Sequence, residues 1–426
     1  MDGKVSGDHK VVIVGLQWGD EGKGKIIDIL APGFDLVVRY QGGPNAGHTV
    51  HRGDRKIIFH QLPSGVLHPE VQNLIASGCV VDPRRLFEEL EALKGIGIDT
   101  RDRVWVSKFA HVILPHHIAI DGMREDGKAK PLGTTRRGVG MCYEDKFARI
   151  GIRIGDLIAE DTDRLRYLIS HKNFLLIELY GGEPLDDRRI LKEYMEFGRR
   201  LRPLAVSDPY FLKGFQNRRI LFESAQGTLL DISFGTYPYV TSSHPIVGGI
   251  GASIGMIPNR LLKIGIVKAY TTRVGLGPFP TEIEGELGEI LRKKGNEYGS
   301  TTGRPRRIGW LDIPALRFAA IINGIDAIIL TKLDVLSGLK EIKIGTGYQT
   351  DSGPTEEFDP TRDDLVPEYR SLPGWEGEIA GVKGFDQLPR EAQEYVAMVE
   401  DLIGVRIVGI SVGPEPDQMI WRERLI

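Results

Sequence analysis

Short apolar runs that do not alternate with polar residues place the strongest constraint on how this chain can fold. The runs are rich in β-branched residues, and glycine-containing loops follow most of them. Strands buried on both faces have this pattern, whereas strands with one wet face alternate. The runs are Val11–Val14, Leu36–Val38, Val104–Val106, Ile220–Phe222, Ile264–Val267, Ala327–Leu330 and Ile407–Ile410. They predict a mainly parallel sheet.

Amphipathic helical patterns lie between several of these runs. Asp82 is a good N-cap, Pro83 follows at the first helical position, and the helix is expected to end near Gly95. Two further helices are predicted at about Asp186–Leu201 and Arg390–Ile403. The alternation predicts an α/β fold, with one large central sheet flanked by helices and joined by right-handed crossovers. We expect residues 1–426 to form one domain, with a peripheral excursion at about 345–384, where Pro, Gly and acidic residues interrupt the pattern.

The composition argues against several classes of partner. With a net charge of −3 and a pI near 6.4, the chain has no strong attraction for nucleic acid or an anionic membrane. No stretch approaches the roughly 18 apolar residues of a membrane helix. The two cysteines, Cys79 and Cys142, do not make a disulfide framework. We therefore expect a cytoplasmic protein that binds neither nucleic acid nor membrane.

Polar clusters directly follow six of the predicted strands. The carboxyl ends of parallel strands lie at one edge of an open α/β sheet, where such folds bind ligands. The clusters are Gln17–Lys25, Gln41–Thr49, Glu223–Thr228, Lys268–Arg273, Thr331–Asp334 and Ser411–Pro414. We expect them to converge on one crevice.

The first cluster belongs to a loop rich in glycine and lysine, Gly15–Ile26, which can hold phosphate through backbone N–H groups and Lys23. It is not a strict Walker A loop, because its spacing is too long and Gly24 stands where Ser or Thr would follow the lysine. Asp20 adds a carboxylate that can hold magnesium or remove a proton. The pattern predicts nucleotide phosphate binding combined with acid–base chemistry. A tight turn with solvated lysines is the alternative.

Two clusters suggest a base-recognition residue and an acid. Asp334, after a predicted buried strand, can accept hydrogen bonds from N1–H and the 2-amino group of guanine, whereas adenine has an acceptor at N1. GTP is therefore favoured over ATP. His48 lies within Asn45–Thr49, among glycines that allow the backbone to approach a ligand. It is a candidate general acid or electrophile. Other histidines lack metal-ligand spacing, and we interpret these as structural: His60, His111, His116, His117 and His244.

Arginine-rich loops are candidates for anion capture. Arg304, Arg306 and Arg307 follow Ser300–Gly303, and three guanidinium groups beside hydroxyls suit a dicarboxylic acid. A solvated basic loop is the alternative. Gly133–Gly138 has a similar composition and is ambiguous by itself.

Five long motifs span nearly the whole chain, from about Gly15 to Pro414: Gln17–Lys25, Gln41–Thr49, Gly227–Ser243, Thr271–Pro280 and Thr302–Asp312. In order and spacing they closely resemble the adenylosuccinate synthetase family. The resemblance implies a P-loop-NTPase-like fold with peripheral insertions. It also implies that IMP, L-aspartate and GTP give adenylosuccinate, GDP and phosphate through a 6-phosphoryl-IMP intermediate, in AMP biosynthesis.

The resemblance also implies a role for each site residue. Asp20 would take the N1 proton of IMP, His48 would hydrogen-bond or protonate the transferring group, and Gln226 would support the purine 6-position. Mg²⁺ would be held by Asp20 and the carbonyl of Gly47. IMP would contact Asp20, Glu21, Gly22, Lys23, Asn45, Ala46, Gly47, His48, Thr135, Arg149, Gln226, Thr241 and Arg304. GTP would contact Gly19, Asp20, Glu21, Gly22, Lys23, Gly24, Lys25, Gly47, His48, Thr49, Arg306, Lys332, Leu333, Asp334, Ser411, Val412 and Gly413. Aspartate would contact Ser300, Thr301, Thr302, Gly303, Arg304, Pro305 and Arg306.

The family resemblance further implies a homodimer in which Arg149 reaches the IMP of the neighbouring subunit. Some positions depart from the common family pattern without removing a catalytic group: Arg136, Ser224 and His244, with Pro44 at a variable position. Three alternatives remain open on the sequence. They are a GTP-hydrolysing switch protein, a non-catalytic nucleotide-binding protein, and a GTP-dependent ligase that acts on another oxo-base.

Overall fold

The computed structural model describes residues 9–52, 55–127, 131–299 and 303–423. The strands within these ranges are β1 (Lys10–Gly15), β2 (Leu36–Arg39), β3 (His48–Arg52), β4 (Arg55–Phe59), β5 (Gln72–Ile75), β6 (Val80–Val81), β7 (Val104–Ser107), β8 (His111–Val112), β9 (Ala205–Val206), β10 (Ile220–Glu223), β11 (Leu261–Lys268), β12 (Thr271–Arg273), β13 (Arg307–Gly309), β14 (Leu311–Asp312), β15 (Ala327–Thr331), β16 (Glu341–Thr350), β17 (Gly353–Thr355), β18 (Val366–Pro373), β19 (Ile407–Ser411) and β20 (Met419–Trp421). The helices are α1 (Lys23–Leu30), α2 (Pro83–Gly95), α3 (Pro115–Asp126), α4 (Val139–Ala148), α5 (Ile154–Ile158), α6 (Thr162–Glu178), α7 (Asp187–Leu201), α8 (Asp208–Lys213), α9 (Gly249–Ile254), α10 (Glu286–Lys294), α11 (Ile313–Asn323) and α12 (Arg390–Ile403).

A ten-stranded sheet forms the centre of the fold. Its strand order is β20-β19-β15-β11-β1-β10-β2-β5-β7-β9. Neighbouring strands are parallel except at one edge, where β20 runs antiparallel to β19. All the strands that the apolar runs predicted belong to this sheet, so the prediction of a large, mainly parallel central sheet is confirmed.

The central strands are buried on both faces, which explains why their sequences do not alternate. Successive side chains of a strand point to opposite faces. Val12 and Val14 of β1 belong to the apolar core that includes α11 and α12, whereas Val11 and Ile13 pack with α1 on the other face. Each face of the sheet is therefore covered by helices, and both sets of side chains are removed from water.

The predicted helices are present with nearly the predicted bounds. The Asp82 carboxylate caps α2 by accepting hydrogen bonds from the backbone N–H groups of Arg84 (3.1 Å) and Arg85 (3.4 Å). Asp186 caps α7 in the same way, and α12 spans Arg390–Ile403 as predicted. Among the described residues, no helix is long and apolar enough to cross a membrane.

Residues 345–384, expected to form a peripheral excursion, contribute to a second sheet made of β14, β16, β17 and β18. Strands β16, β17 and β18 pair antiparallel, which accounts for the loss of strand–helix alternation in the sequence. Tyr348, Phe358 and Trp375 from this region are buried in the core that also includes α11 and α12. That residues 1–426 form a single domain stays a prediction.

Candidate active site

A cavity of about 890 Å³ lies where the central strands end. The segments that follow β1, β2, β10, β15 and β19 all contribute to its wall, represented by Asp20, Asn45, Gln226, Lys332 and Ser411. These segments correspond to five of the six polar clusters predicted to converge on one crevice. The geometry agrees with the rule that open parallel sheets bind ligands at the carboxyl ends of their strands.

Most of the site residues predicted from the sequence belong to this wall. They are Gly19, Asp20, Gly22, Lys23, Gly24, Lys25, Asn45, Ala46, Gly47, His48, Thr49, Thr135, Gln226, Thr241, Arg306, Lys332, Asp334, Ser411 and Gly413.

The sixth cluster, Lys268–Arg273, does not line the cavity, so this part of the convergence prediction was wrong. Lys268 is fully buried behind the wall, and burial lowers its pKa to about 8. Arg273 is also buried and donates hydrogen bonds to the carbonyl groups of Leu276 and Tyr239, both at 3.1 Å. Lys268 donates to the side chains of Thr272 and Glu297, and Arg273 holds backbone of the wall, because a buried charge needs hydrogen-bond partners within the protein.

The loop after β1 folds around the carboxylate of Glu21. This side chain is fully buried and accepts hydrogen bonds from the backbone N–H groups of Gln17 (3.1 Å) and Gly19 (2.9 Å) and from Lys23 Nζ (2.6 Å). A Cβ at Gly15 would lie 2.2 Å from the same carboxylate, which explains the glycine there. Glu21 was predicted to contact both nucleotides, but its side chain is absent from the cavity wall and instead shapes the loop.

Asp20 places a carboxylate in the cavity from a left-handed backbone conformation, with φ of +60°. Gly19 and Gly22 on either side also have positive φ, at +87° and +93°. The Asp20 side chain is 29% exposed, and its Oδ2 lies 2.8 Å from Arg306 Nε. Strained conformations of this kind concentrate at functional sites, where the surrounding structure maintains them. The loop therefore presents one carboxylate to the cavity from an unusual backbone conformation.

His48 is held by a buried glutamate to which sequence analysis assigned no role. Its Nδ1 forms a short hydrogen bond with the carboxylate of Glu223, which is fully buried at the end of β10. Glu223 also accepts hydrogen bonds from the backbone N–H (2.8 Å) and hydroxyl (2.9 Å) of Ser64. Burial lowers the pKa of His48, and the negative charge of Glu223 opposes this shift. Since Nδ1 is engaged, Nε2 is the ring nitrogen that can act on a ligand. An acid directly after a buried strand was the available signal.

Several buried polar atoms of the cavity wall have no hydrogen-bond partner among the described residues. They are Oε1 and Nε2 of Gln226, Oγ1 of Thr241, Oδ1 of Asp334 and Nε of Arg306, the last of which forms an ion pair with Asp20. Nearly all buried polar groups in proteins are hydrogen-bonded, so these atoms indicate where a polar ligand binds. Burial raises the pKa of Asp334 above its ordinary value, although nearby lysines oppose the shift.

Lys25 joins the phosphate loop to the segment after β19. Its Nζ donates hydrogen bonds to Ser411 Oγ (2.8 Å) and to the carbonyl of Gly413 (2.7 Å). Burial lowers the pKa of Lys25 to about 8, while the charge of Asp334 opposes this effect. Lys25 therefore connects two of the loops that were predicted to contact GTP.

Other predicted contacts lie outside the cavity wall. The exposed side chain of Arg304 donates to the carbonyl groups of Gly133 and Thr134, both at 3.4 Å, and so lies beside a loop that lines the cavity. Arg149 is exposed at the end of α4. The remaining predicted residues that do not line the cavity are Gly303, Pro305, Leu333 and Val412. Ser300, Thr301 and Thr302 lie outside the described residues.

Comparison with known proteins assigns the chain to a family. The sequence profile of adenylosuccinate synthetase matches residues 12–420. The chain belongs to the adenylosuccinate synthetase family. The adenylosuccinate synthetase of Salinibacter ruber is 46% identical over 426 residues, covering 96% of this chain and 97% of the relative. That of Caldanaerobacter subterraneus is 49% identical over 422 residues, covering 96% and 98%.

Solved structures support the same assignment. The fully ligated adenylosuccinate synthetase of Plasmodium falciparum has a TM-score of 0.92 and 40% sequence identity, covering 97% of this chain and 99% of that one. A cyanophage succinoaminodeoxyadenylate synthetase has a TM-score of 0.63 and 19% identity, covering 98% and 96%. This second similarity shows a shared fold alone.

The chain is therefore a GTP-dependent ligase of purine nucleotide biosynthesis. Adenylosuccinate synthetases generally need a metal ion. Among the described residues, no group of three or more His, Cys, Asp or Glu side chains could hold one. The donor set does fit an ion held partly by substrate, because Mg²⁺ is commonly bound through one or two carboxylates together with phosphates and water. Asp20 supplies such a carboxylate.

The positions that depart from the family pattern lie outside the cavity wall. Arg136 forms an ion pair with Asp126 on the surface. Ser224 donates to the carbonyl of Pro245 at 2.8 Å, and His244 Nδ1 lies 3.1 Å from the buried carboxylate of Asp231. We expect these substitutions to leave the groups that line the cavity in place.

Proposed function

We propose that this cavity phosphorylates O6 of IMP and then exchanges the phosphate for the amine of aspartate. The observation that carries the proposal is the position of Asp20, a carboxylate within a phosphate-binding loop that shares one cavity with His48 and Gln226. A site for phosphate hydrolysis alone has no need of a base at the purine.

In the first step, Asp20 takes the proton from N1 of IMP, and O6 gains the negative charge. O6 attacks the γ-phosphorus of GTP, the bond from that phosphorus to the β,γ-bridging oxygen breaks, and GDP leaves. His48 donates a hydrogen bond to the transferring group, while Lys23 and the loop N–H groups hold the phosphates. The amide of Gln226 supports the purine 6-position, where charge changes.

In the second step, the amine of aspartate attacks C6, the C6–O6 bond breaks, and O6 departs within phosphate. The amine loses its proton, so the product is adenylosuccinate. We assign the carboxylates of aspartate to the loop of residues 300–306. Support comes from Arg306, whose guanidinium lies in the cavity wall, and from Arg304 beside the 133–134 carbonyls.

We further propose that the metal ion is Mg²⁺, held by the Asp20 carboxylate and the carbonyl of Gly47. Both residues lie in the cavity wall, and an oxygen-only donor set suits this hard cation. When bound, the ion neutralises phosphate charge during transfer.

The proposed nucleotide contacts follow from the polar residues that line the cavity. Asp334 accepts hydrogen bonds from guanine, supported by its buried Oδ1 atom, which has no partner among the described residues. We assign IMP to the part of the wall that contains Asn45, Thr135 and Thr241.

We also propose a homodimer, in which the partner subunit's Arg149 completes the IMP site. Two observations support this arrangement. Arg149 is exposed, follows α4 in a left-handed conformation with φ of +65° and does not line the cavity of its own subunit. The neighbouring Phe147 is 74% exposed, which suits an apolar contact with another chain. A cytosolic location is proposed as well, since Cys79 and Cys142 are free, buried thiols.

Subunit mixing tests the composite site. Asp20→Ala and Arg149→Leu proteins should each be inactive, because each lacks one contribution to every site. After random reassociation of equal amounts, half of the dimers are mixed and each has one intact site, so activity should return to about a quarter of the wild-type value. The measurement is adenylosuccinate formation before and after mixing.

The matched control is a mixture of Asp20→Ala and His48→Ala proteins. Both residues belong to the same subunit's cavity, so no mixed dimer contains an intact site and no activity should return. Mass spectrometry can establish whether Asp20→Ala and Arg149→Leu subunits exchange. If they exchange and activity still does not return, the proposal that two subunits share each site is wrong.

A further inference from the structure

Glu297 is a buried carboxylate with four donors around it, and neither the sequence motifs nor the proposed chemistry gives it a role. Its exposed fraction is 0%. Oε1 accepts hydrogen bonds from Lys268 Nζ (2.9 Å), Lys332 Nζ (2.7 Å) and the Tyr270 hydroxyl (2.5 Å). Oε2 accepts from Arg306 at 2.5 Å. Three cationic side chains therefore share one anion.

The four donors belong to two different parts of the molecule. Lys268 ends β11, and Tyr270 follows it, so both are fixed to the central sheet behind the cavity wall. Lys332 and Arg306 lie in the wall itself, one after β15 and one at the end of the 300–306 loop. Glu297 therefore links the rigid sheet to two cavity residues that are 26 positions apart in the chain.

We infer that Glu297 is a positioning residue for this reaction, which fixes Arg306 against Asp20 and holds Lys332 in the segment that carries Asp334, the proposed guanine acceptor. Arg306 makes both contacts at once, since its Nε lies 2.8 Å from Asp20 Oδ2 while its other nitrogen donates to Glu297. The inference rests on the proposed assignment of Arg306 to GTP and aspartate.

The charges explain why an anion is needed at this point. Lys268 and Arg306 are buried and Lys332 is half-buried, so the three cations would repel one another, because like charges interact strongly where water is largely excluded. Burial alone would raise the pKa of Glu297, but the three cations outweigh burial and hold it well below its ordinary range. Glu297 therefore stays ionised and keeps the cations together.

The arrangement of donors makes Glu297→Gln a selective test. An amide has one oxygen and one NH₂ group. The oxygen belongs on the Oε1 side, where three donors converge, so the NH₂ group would face Arg306 and could not accept its hydrogen bond. The variant should release Arg306 while leaving Lys332 in place.

We expect Glu297→Gln to raise KM for aspartate and for GTP by about 10- to 100-fold, since a small displacement of a substrate-holding group has effects of this size. KM for IMP should change much less. Tyr270→Phe is the matched control, because it removes one hydrogen bond to the same carboxylate while Lys268 still anchors Glu297. It should lower Tm slightly and leave the three KM values unchanged.

Two further variants separate the possible failures. Arg306→Leu should raise the same two KM values, and Glu297→Gln should add little in that background, because Glu297 acts through Arg306. Wild-type KM values in Glu297→Gln, with only a lower Tm, would show a purely structural role and overturn the inference. Wild-type KM values in Arg306→Leu would instead remove the proposed assignment of Arg306, and the inference with it.

If Glu297→Gln does not fold, Glu297→Asp retains the charge with a shorter reach and should raise the same two KM values.

Discussion

Replacement of Asp20 by asparagine is expected to lower kcat for adenylosuccinate formation by about 10³-fold or more, because one side chain supplies both a base and a charge at the phosphates. Asparagine has nearly the same shape, so the loop should keep its conformation. It cannot take the N1 proton, and it leaves Arg306 without the carboxylate that lies 2.8 Å from its Nε. Steady-state assays with all three substrates at saturation measure the effect.

Asp28→Asn is the matched control for this substitution. Asp28 belongs to α1, which follows the same loop. Its Oδ1 lies 2.8 Å from His68 Nε2, and Asp28 does not line the cavity. The control should lower Tm and leave kcat close to wild type. A near-normal kcat in Asp20→Asn would exclude Asp20 as the base.

Replacement of Asp334 by asparagine is expected to lower kcat/KM for GTP by about 10²- to 10⁴-fold and to favour xanthosine triphosphate, since a site built for one hydrogen-bond pattern rejects the wrong one strongly. The wild-type carboxylate can accept from both N1–H and the 2-amino group of guanine. An amide offers an acceptor for N1–H and a donor for the 2-oxo group of xanthine. The measurement is kcat/KM for GTP and xanthosine triphosphate in both proteins.

The control for base recognition is Asp326→Asn. Asp326 precedes β15 at the end opposite Asp334, and it forms an exposed ion pair with Lys263. The Asp326→Asn variant should leave the ratio of kcat/KM for GTP to kcat/KM for xanthosine triphosphate unchanged. If Asp334→Asn retains the wild-type preference for GTP, guanine is recognised by other groups.

The central sheet could be predicted from sequence because burial on both faces leaves a local mark. Runs such as Val11–Val14 and Ala327–Leu330 have no polar residue at alternate positions, and both became central strands. Helix α2 was predictable for a similar reason, since Asp82 and Pro83 mark its first turn within two residues. These signals need no knowledge of distant parts of the chain.

The contacts behind the cavity wall could not be predicted in the same way. Glu223 contacts His48, which lies 175 positions away in the chain. Glu297 contacts Arg306 and Lys332, which lie 9 and 35 positions away. The roles of both glutamates therefore depend on which segments the fold brings together. Lys268 lies at the end of a buried strand, close to where other strands carry cavity residues, yet its side chain turns inward to Glu297. A polar residue after a strand can face a ligand or a buried countercharge, and sequence position alone does not separate the two.

The fate of the oxygen at C6 of IMP shows directly whether the phosphoryl group is transferred to IMP. IMP labelled with oxygen-18 at this position is converted in a single turnover with aspartate, GTP and Mg²⁺, and the phosphate is analysed by mass spectrometry. We expect one labelled oxygen in each phosphate, because O6 is phosphorylated before it departs. Unlabelled phosphate, with the label released to water, would contradict transfer of the phosphoryl group to IMP.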